Sequence, residues 1–136
     1  MSDPAISVER RREARERALA LLYEAESKGV AASEIVAALP VAPDPFAADL
    51  VLGVGATVAD LDERIGAVSR GWTVARMPAI DRALLRIGCF ELLHEPETPI
   101  AVIINEAVEL ASRFSTDDSG RFVNGVLSKL AADLRG

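Results

Sequence analysis

A dense group of arginines near the start of the sequence holds the side chains best suited to binding a charged ligand. Between positions 10 and 17 there are five arginines and two glutamates, which gives a local net charge of +3 on a chain whose total charge is −6. One guanidinium group can bind two phosphate oxygens at once, and its plane can stack on an unpaired base. Contact with a single-stranded nucleic acid is therefore one interpretation of the pattern. The members of this arginine cluster are Arg10, Arg11, Arg12, Arg15 and Arg17.

A solvated helix end is the alternative explanation of the arginine cluster. In a helix, Arg12 stands four positions before Glu16, and Glu13 four positions before Arg17, so that both pairs can form ion pairs. Pattern alone leaves the two interpretations open. Helix stability by itself does not favour the cluster, because positive charge at a helix N-terminus opposes the helix dipole at a cost on the order of a few tenths of a kcal/mol.

Phe122 is the second feature that could bind a nucleic acid. On a helical wheel it lies about 95° from the centre of the apolar stripe of the last predicted helix. Arg121 and Lys129 lie near it, so a half-exposed ring at this place suits base stacking. A contact with a neighbouring helix is the interpretation that the sequence favours, because helix bundles bury most of their aromatic side chains.

Catalysis has few candidate residues in this sequence. His94 and Cys89 are the single histidine and the single cysteine. At five positions apart on a helix they point about 140° away from each other. No spacing of metal ligands, phosphate-binding loop, dinucleotide fingerprint or nucleophile elbow is present. We therefore predict no enzyme activity, no metal site and no cofactor, with Cys89 as a packed thiol and His94 as a surface imidazole.

Length and composition indicate one soluble domain. The chain has 136 residues, of which 50% are hydrophobic and 4% aromatic, and this is enough to bury a core. The start of the sequence lacks the apolar run of a signal peptide, and no stretch approaches the roughly 18 apolar residues that a membrane helix needs. We predict a single cytoplasmic domain over residues 1–136 with no membrane association.

Helical periodicity runs along most of the sequence. Residues 1–7 show no pattern and are predicted to form a loose tail, whereas Pro40–Pro45 is predicted to be a short rigid linker. Gly53 and Gly55 are predicted to let another backbone approach closely. The predicted fold class is all-α, with about six to seven helices in two small bundles that divide near residues 40–45 and share one core. The longer helices are predicted over about Val8–Ser27, over Phe46–Arg70, from just after Pro78 to His94, over Ile100–Phe114 and over Asp118–Leu134.

Two segments of the sequence resemble a known family. The segment RREARERALALLYEAE resembles the N-terminal signature of NusB-type transcription antitermination factors, and the segment from Trp72 to Ala131 is similar to their C-terminal half. The resemblance covers about two thirds of the chain, and only residues 30–70 match by pattern alone. The most specific matches are Asp81-Arg82, Leu85-Arg86-Ile87, Glu91-Leu92, Pro99, Ile104-Asn105-Glu106-Ala107, Phe114 and Phe122-Val123-Asn124-Gly125-Val126-Leu127.

The resemblance implies a fold, a ligand and a partner. The fold would be two packed three-helix bundles. The ligand would be boxA, a short single-stranded element in the leader and spacer of ribosomal RNA transcripts. The protein partner would be NusE, a protein of the small ribosomal subunit, and the assembly would join an RNA polymerase complex that resists premature termination.

The resemblance also implies which residues bind. RNA contacts of the first helix would fall on Arg10, Arg11, Arg12 and Arg15. The loop before the last helix and its first turn would add Asp118, Ser119, Arg121 and Phe122. Asp81 would lie in the region that faces the protein partner. Because Glu13 and Glu16 dilute the arginine cluster, we expect the chain to bind RNA better together with a basic partner than alone.

Two other functions remain as alternatives at this stage. The first is a protein-interaction module of the same fold, in which a homodimer hides the RNA-binding face. The second is the N-terminal domain of a ribosomal RNA methyltransferase, which is disfavoured because the chain ends at Gly136 with no nucleotide-binding domain.

Overall fold

Seven α-helices and one short 3₁₀ helix form the regular structure of the part of the chain that is described. The structure, a computed structural model, describes residues 4–136, and residues 8–136 as regards side chains. The prediction of an all-α fold with six to seven helices is confirmed. The helices are α1 (Pro4–Lys28), α2 (Ala32–Ala37), α3 (Pro45–Ala56), α4 (Val58–Val68), α5 (Ala79–His94), α6 (Ile100–Phe114) and α7 (Ser119–Arg135), with the 3₁₀ helix at Val74–Arg76.

The first helix is longer than the sequence predicts. α1 begins at Pro4, so residues 4–7 are helical and the predicted loose tail is wrong for them, while residues 1–3 lie outside the described residues. Proline suits this place because its fixed φ is helical and the first turn needs no amide donor. The other end follows the predicted stop at Gly29, which has a φ of 67°. The amide of Val30 donates to the carbonyl of Ala25 at 3.0 Å, which closes the helix with a left-handed glycine cap.

The chain divides into two compact units, of which the first ends at Ala56 and contains α1, α2 and α3. Each of its three helices packs against the other two. α2 and α3 approach closely at Gly55, where an added Cβ would lie 2.7 Å from the Cβ of Ala32. The prediction of a close approach is thus confirmed for Gly55. The buried apolar side chains of this unit are Ala14, Ala18, Leu19, Leu21, Ala25, Ala32, Ile35, Ala47, Leu50, Val51 and Val54.

The second unit begins at Thr57 and contains α4 to α7. α5 is its central helix, because it packs against α4, α6 and α7, as its nearly continuous apolar surface predicts. Leu84, Leu85 and Cys89 of α5 are buried. The guanidinium of Arg86 meets the carboxylate of Asp62 on α4 through two hydrogen bonds, of 2.7 and 2.8 Å. This polar residue of the central helix therefore has its partner on a neighbouring helix, as buried charges require.

The boundary between the units differs from the predicted one. The sequence predicts one helix over residues 46–70 and a division near residues 40–45, whereas the helix is interrupted at Thr57 and the units divide between Ala56 and Thr57. Gly53 and Gly55 lower the helix propensity just before the break. Asp44, at the end of the predicted linker, instead caps α3, since its Oδ1 accepts a hydrogen bond from the amide of Phe46 at 2.9 Å. The linker therefore belongs to the first unit.

The C-terminal end of α7 holds the C-terminal end of α5 through one side chain. The guanidinium of Arg135 donates hydrogen bonds of 2.7 to 3.1 Å to four backbone carbonyls. Carbonyls at the end of a helix have no partner within the helix, and they carry partial negative charge. Arg135 thus satisfies several of them at once. The acceptors belong to Glu91, Leu92, Glu95 and Thr98.

Replacing Arg135 by alanine is expected to lower the free energy of unfolding by about 2 kcal/mol, because hydrogen bonds from a charged donor to several carbonyls are lost together. Arg135→Lys is the matched control, since it keeps the charge near the helix end but cannot span four acceptors. We expect lysine to restore less than half of the loss. Urea unfolding followed by circular dichroism measures both values. Equal stability of Arg135→Ala and the wild type would contradict this role.

Candidate nucleic-acid interface

The arginine-rich part of α1 lies against the beginning of α3 in the first unit. The Nη2 atom of Arg10 is 2.9 Å from Oδ2 of Asp44, and the two form an exposed salt bridge. The hydrogen bond from Arg10, and then that from the amide of Phe46, lowers the pKa of Asp44. Asp44 therefore stays ionised at neutral pH. It serves both as the cap of α3 and as the partner of Arg10.

Phe46 is the platform on which two of the arginines rest. The guanidinium carbon of Arg11 is 4.8 Å from the centre of the Phe46 ring, and that of Arg15 is 5.5 Å from it. These are cation–π distances. Arg15 is only 3% exposed, whereas Arg11 is exposed. The ring thus fixes the direction of both guanidinium groups. A shallow cleft of about 230 Å³ lies here, lined by Arg10, Arg11, Asp44, Pro45 and Phe46.

Asp44 and Phe46 are site residues that the sequence analysis did not identify. The sequence predicts a helix start there, since aspartate is a preferred N-cap and proline suits the next position. Nothing local in the sequence pairs this helix start with the arginine cluster, because Arg10 and Asp44 are 34 residues apart along the chain. Of the predicted arginines, Arg10, Arg11 and Arg15 meet at this place. Arg12 and Arg17 lie on the exposed surface of the same helix.

The second group of predicted site residues lies in the second unit, around the first turn of α7. Ser119 begins this helix, and its side chain is 1% exposed. Its Oγ is 2.9 Å from Oδ2 of Asp81, and it accepts a hydrogen bond from the amide of Thr116 at 3.2 Å. The hydroxyl of Ser115 donates to the other oxygen of Asp81. These bonds fix the turn at residues 115–119, called the α7 turn below.

Asp81 and Ser119 are both enclosed by the protein in this structure, since Asp81 is 2% exposed. The sequence predicts contacts with a ligand or partner for both. Their hydrogen bonds are made to each other and to the α7 turn, which accounts for their burial. In this conformation Asp81 and Ser119 hold the α7 turn in place through these hydrogen bonds. Direct contact of either side chain with another molecule stays a prediction.

The remaining residues of this group are accessible. Arg121 and Asp118 are strongly exposed and form a salt bridge at 3.2 Å. Phe122 is half-buried, and its ring centre is 5.9 Å from that of Trp72 at an angle of 58° between the ring planes. The ring thus meets an aromatic residue of the segment between α4 and α5, and the predicted contact of Phe122 with a neighbouring helix stays a prediction.

The cysteine and the histidine occupy the places that the sequence predicts. Cys89 is fully buried, and burial raises the pKa of its thiol to about 11, so the reactive thiolate is absent at neutral pH. His94 is exposed, and its ring stacks near that of Phe90 with 4.6 Å between the ring centres. Among the side chains from Val8 onward, no group of three or more histidine, cysteine or acidic residues is arranged to hold a metal ion.

Comparison with a family model identifies the family of this chain. The model that describes the NusB family matches residues 12–132. The chain belongs to the NusB family. It is 49% identical over 122 residues to the transcription antitermination protein NusB of Cutibacterium acnes. The aligned segment covers 86% of this chain and 46% of that protein. It is 46% identical over 134 residues to the NusB of Beutenbergia cavernae, which covers 88% of each. The chain thus spans about half of the first relative and most of the second.

Solved structures share the fold of this NusB family chain. The structure of T. maritima NusB has a TM-score of 0.82 and 29% sequence identity, and the match covers 98% of this chain and 94% of that one. A chain in the crystal structure of the antitermination factors NusB and NusE in complex with dsRNA has a TM-score of 0.78 over 92% of this chain and 98% of that one. The identity there is 23%, so this second likeness shows the fold alone.

The family match includes most residues described above. It begins at Arg12, so Arg10 and Arg11 precede it, whereas Arg15, Phe46 and the α7 turn lie within it. The prediction that the sequence resembles NusB-type factors is confirmed. No helix in the described part of this NusB family chain has the length and apolar character needed to cross a membrane.

Proposed function

We propose that this NusB family chain is a transcription antitermination factor that binds boxA-type single-stranded RNA of ribosomal RNA transcripts together with the ribosomal protein NusE. The pair would join an RNA polymerase complex and support transcription of ribosomal RNA. One observation carries the RNA part of the proposal. Phe46 holds the guanidinium groups of Arg11 and Arg15 at cation–π distance in a chain that otherwise carries excess negative charge.

The arginine cluster fits a polyanion with unpaired bases. A guanidinium can bind phosphate oxygens through its edge and stack on a base through its plane. The exposed Arg121, on α7, offers a further positive charge in the second unit. We propose that Arg10, Arg11 and Arg12 of the first unit contact RNA, as do Arg121 and Phe122 of the second, and that Asp118 acts through its salt bridge with Arg121. Arg15 is only 3% exposed, so in this conformation it packs against Phe46, and its direct contact with RNA stays a prediction. Ser119 and Asp81 hold the α7 turn in place.

The charge of the whole chain fits a basic partner, such as the ribosomal protein that the resemblance implies. A protein with a net charge of −6 repels a polyanion over distances beyond the arginine cluster. A basic ribosomal protein bound beside the RNA supplies the missing positive charge. A chain of the same fold occurs in a structure that contains NusE and RNA, which supports testing both ligands together.

An RNA titration with and without NusE tests the proposed function. Fluorescence anisotropy of a labelled boxA RNA is expected to show binding by the chain that becomes about 10-fold tighter or more when NusE is present. A scrambled RNA of equal length is the control, and it should bind more weakly in both cases. Binding of NusE without any RNA binding would instead indicate a protein-interaction module, and gel filtration of the free chain shows whether a homodimer hides the surface.

Replacing Phe46 by leucine is expected to weaken RNA binding about 3-fold, because the cation–π contacts of Arg11 and Arg15 are lost while most of the apolar volume is kept. Phe114→Leu is the matched control, since Arg113 likewise lies over the Phe114 ring at 4.7 Å and neither residue is proposed to contact RNA. The anisotropy assay compares both variants with the wild type. An equal effect of the two substitutions would show that Phe46 has no special role.

A further inference from the structure

Trp72 is the single tryptophan of the chain, and it is 52% exposed. It lies between α4 and α5, in the segment from Ser69 to Met77, which is called the Trp72 segment here. A large aromatic side chain in a helical protein is usually buried. An exposed tryptophan therefore needs an explanation from its surroundings.

The backbone of the Trp72 segment is held from inside the protein. The hydroxyl of the buried Ser69 donates to the carbonyl of Trp72 at 3.2 Å, and the amide of Trp72 donates to the carbonyl of Ser69 at 3.1 Å. Gly71 completes this turn with a φ of 79°, a conformation that side chains disfavour. The turn thus fixes the place of Trp72.

Arg82 binds the C-terminal half of the Trp72 segment through hydrogen bonds. Its Nη1 lies 2.7 Å from the carbonyl oxygen of Met77, 3.2 Å from that of Val74 and 3.4 Å from that of Ala75. An arginine of α5 thereby binds the 3₁₀ helix directly. The exposed indole is therefore presented by a fixed backbone and not by a loose loop.

Phe122 lies beside the indole, and three exposed arginines are close to these two aromatic residues along the chain. The rings of Trp72 and Phe122 are 5.9 Å apart and tilted by 58°, so Phe122 supports Trp72 without covering it face to face. Arg70 and Arg76, within the same stretch of chain, are exposed, and so is Arg121 beside Phe122. Arg121 forms a salt bridge with Asp118. An aromatic surface with positive side chains around it is typical of sites for single-stranded nucleic acid.

We propose that Trp72, supported by Phe122, is a stacking site for one unpaired RNA base, with the phosphates on either side of that base held by Arg70 and Arg76. The inference rests on the proposed function and deepens it, because it assigns a base-contacting subsite to the second unit. Charge complementarity selects RNA as the occupant: the Trp72 segment contains arginines and no acidic residue. Stacking tolerates any base, so this subsite adds affinity more than sequence preference.

The fluorescence of Trp72 tests the inference on the wild-type chain. Because no other tryptophan is present, any change in tryptophan emission reports this one side chain. A base stacked on the indole quenches it, so the titration with boxA RNA should lower the emission and saturate at the same RNA concentration as the anisotropy of labelled RNA. An RNA series with one abasic nucleotide at a time should lose the quenching at one position. Unchanged emission while the anisotropy rises would overturn the inference and leave the proposed function standing, whereas no rise in anisotropy would remove the proposed function itself.

Substitution gives an independent measurement. Trp72→Ala is expected to weaken RNA binding about 5-fold or more, the usual effect of losing one stacked base, while Trp72→Phe should keep most of the affinity. Tyr23→Ala is the matched control, because Tyr23 is an exposed aromatic residue outside the Trp72 segment. Equal RNA affinity of Trp72→Ala and the wild type would overturn the inference. So would a loss of NusE binding with unchanged RNA affinity, since it would place a protein on the indole.

Discussion

Replacing Arg10, Arg11 and Arg12 together by alanine is expected to weaken binding of boxA RNA about 100-fold at low salt. Each arginine that neutralises a phosphate releases a counterion, and for single strands each contact contributes about 0.7 to the slope of log affinity against log salt concentration. Loss of three contacts should therefore reduce that slope by about 2. Titrations at several salt concentrations measure both quantities. Arg15 is left unchanged because it is buried beneath Phe46 and its loss would disturb the fold.

A second triple variant with the same change in net charge tests whether the position of the arginines matters or only the total charge of the chain. Lys28, Arg64 and Arg113 are not among the residues proposed to contact RNA, and replacing all three by alanine changes the net charge by the same amount. If RNA binds through the arginine cluster, this control variant keeps most of its affinity and its salt slope. Equal losses in the two triple variants would mean that only the overall charge matters, and the assignment of Arg10, Arg11 and Arg12 would fail.

Replacing Asp81 by alanine is expected to lower the free energy of unfolding by about 3 kcal/mol. The carboxylate accepts hydrogen bonds from the hydroxyls of Ser115 and Ser119, and Ser119 is almost completely buried. Without it the hydroxyl of the buried Ser119 loses an acceptor, which costs about 1 to 3 kcal/mol for a buried group, and the half-buried Ser115 loses its acceptor as well. For a chain of this size the melting temperature should fall by about 10 °C.

Asp81→Asn is the matched control for this prediction. The amide has the same shape and can still accept one hydrogen bond and donate another, so we expect about a third of the alanine effect. Thermal unfolding gives the stability, and the RNA titration at a temperature where both variants are folded gives the effect on the α7 turn. If Asp81→Ala were as stable as the wild type, the hydrogen bonds among Asp81, Ser115 and Ser119 would have no part in holding that turn.

The sequence predicts the last three helices of the second unit closely. α5 and α6 have the predicted bounds, since Pro78 and Pro99 stand directly before them and the apolar stripes continue to His94 and Phe114. The last residue of the α6 stripe, Phe114, is 45% exposed. Arg113 lies over its ring, with the guanidinium carbon 4.7 Å from the ring centre.

The break between α3 and α4 at Thr57 is a feature that apolar periodicity does not predict. The apolar spacing of residues 47–68 continues without interruption through α3 and α4, so the pattern predicts one helix. Spacing reports which side of a helix is apolar, and it does not report whether the helix axis continues. The packing of α3 against α1 and α2, and of α4 against α5 and α7, separates the two helices.

The arginine-rich part of α1 shows which features the sequence determines by itself and which only the tertiary structure determines. The type and spacing of its residues determine a helix, a local positive charge and, through the resemblance, membership of the NusB family. Only the folded chain decides what each arginine does: Arg10 binds Asp44, Arg11 lies on Phe46 at the surface, and Arg15 is buried beside the same ring. The reason is that helical spacing acts between residues three or four positions apart, whereas these partners lie more than 30 residues away along the chain and meet only when α3 packs against α1.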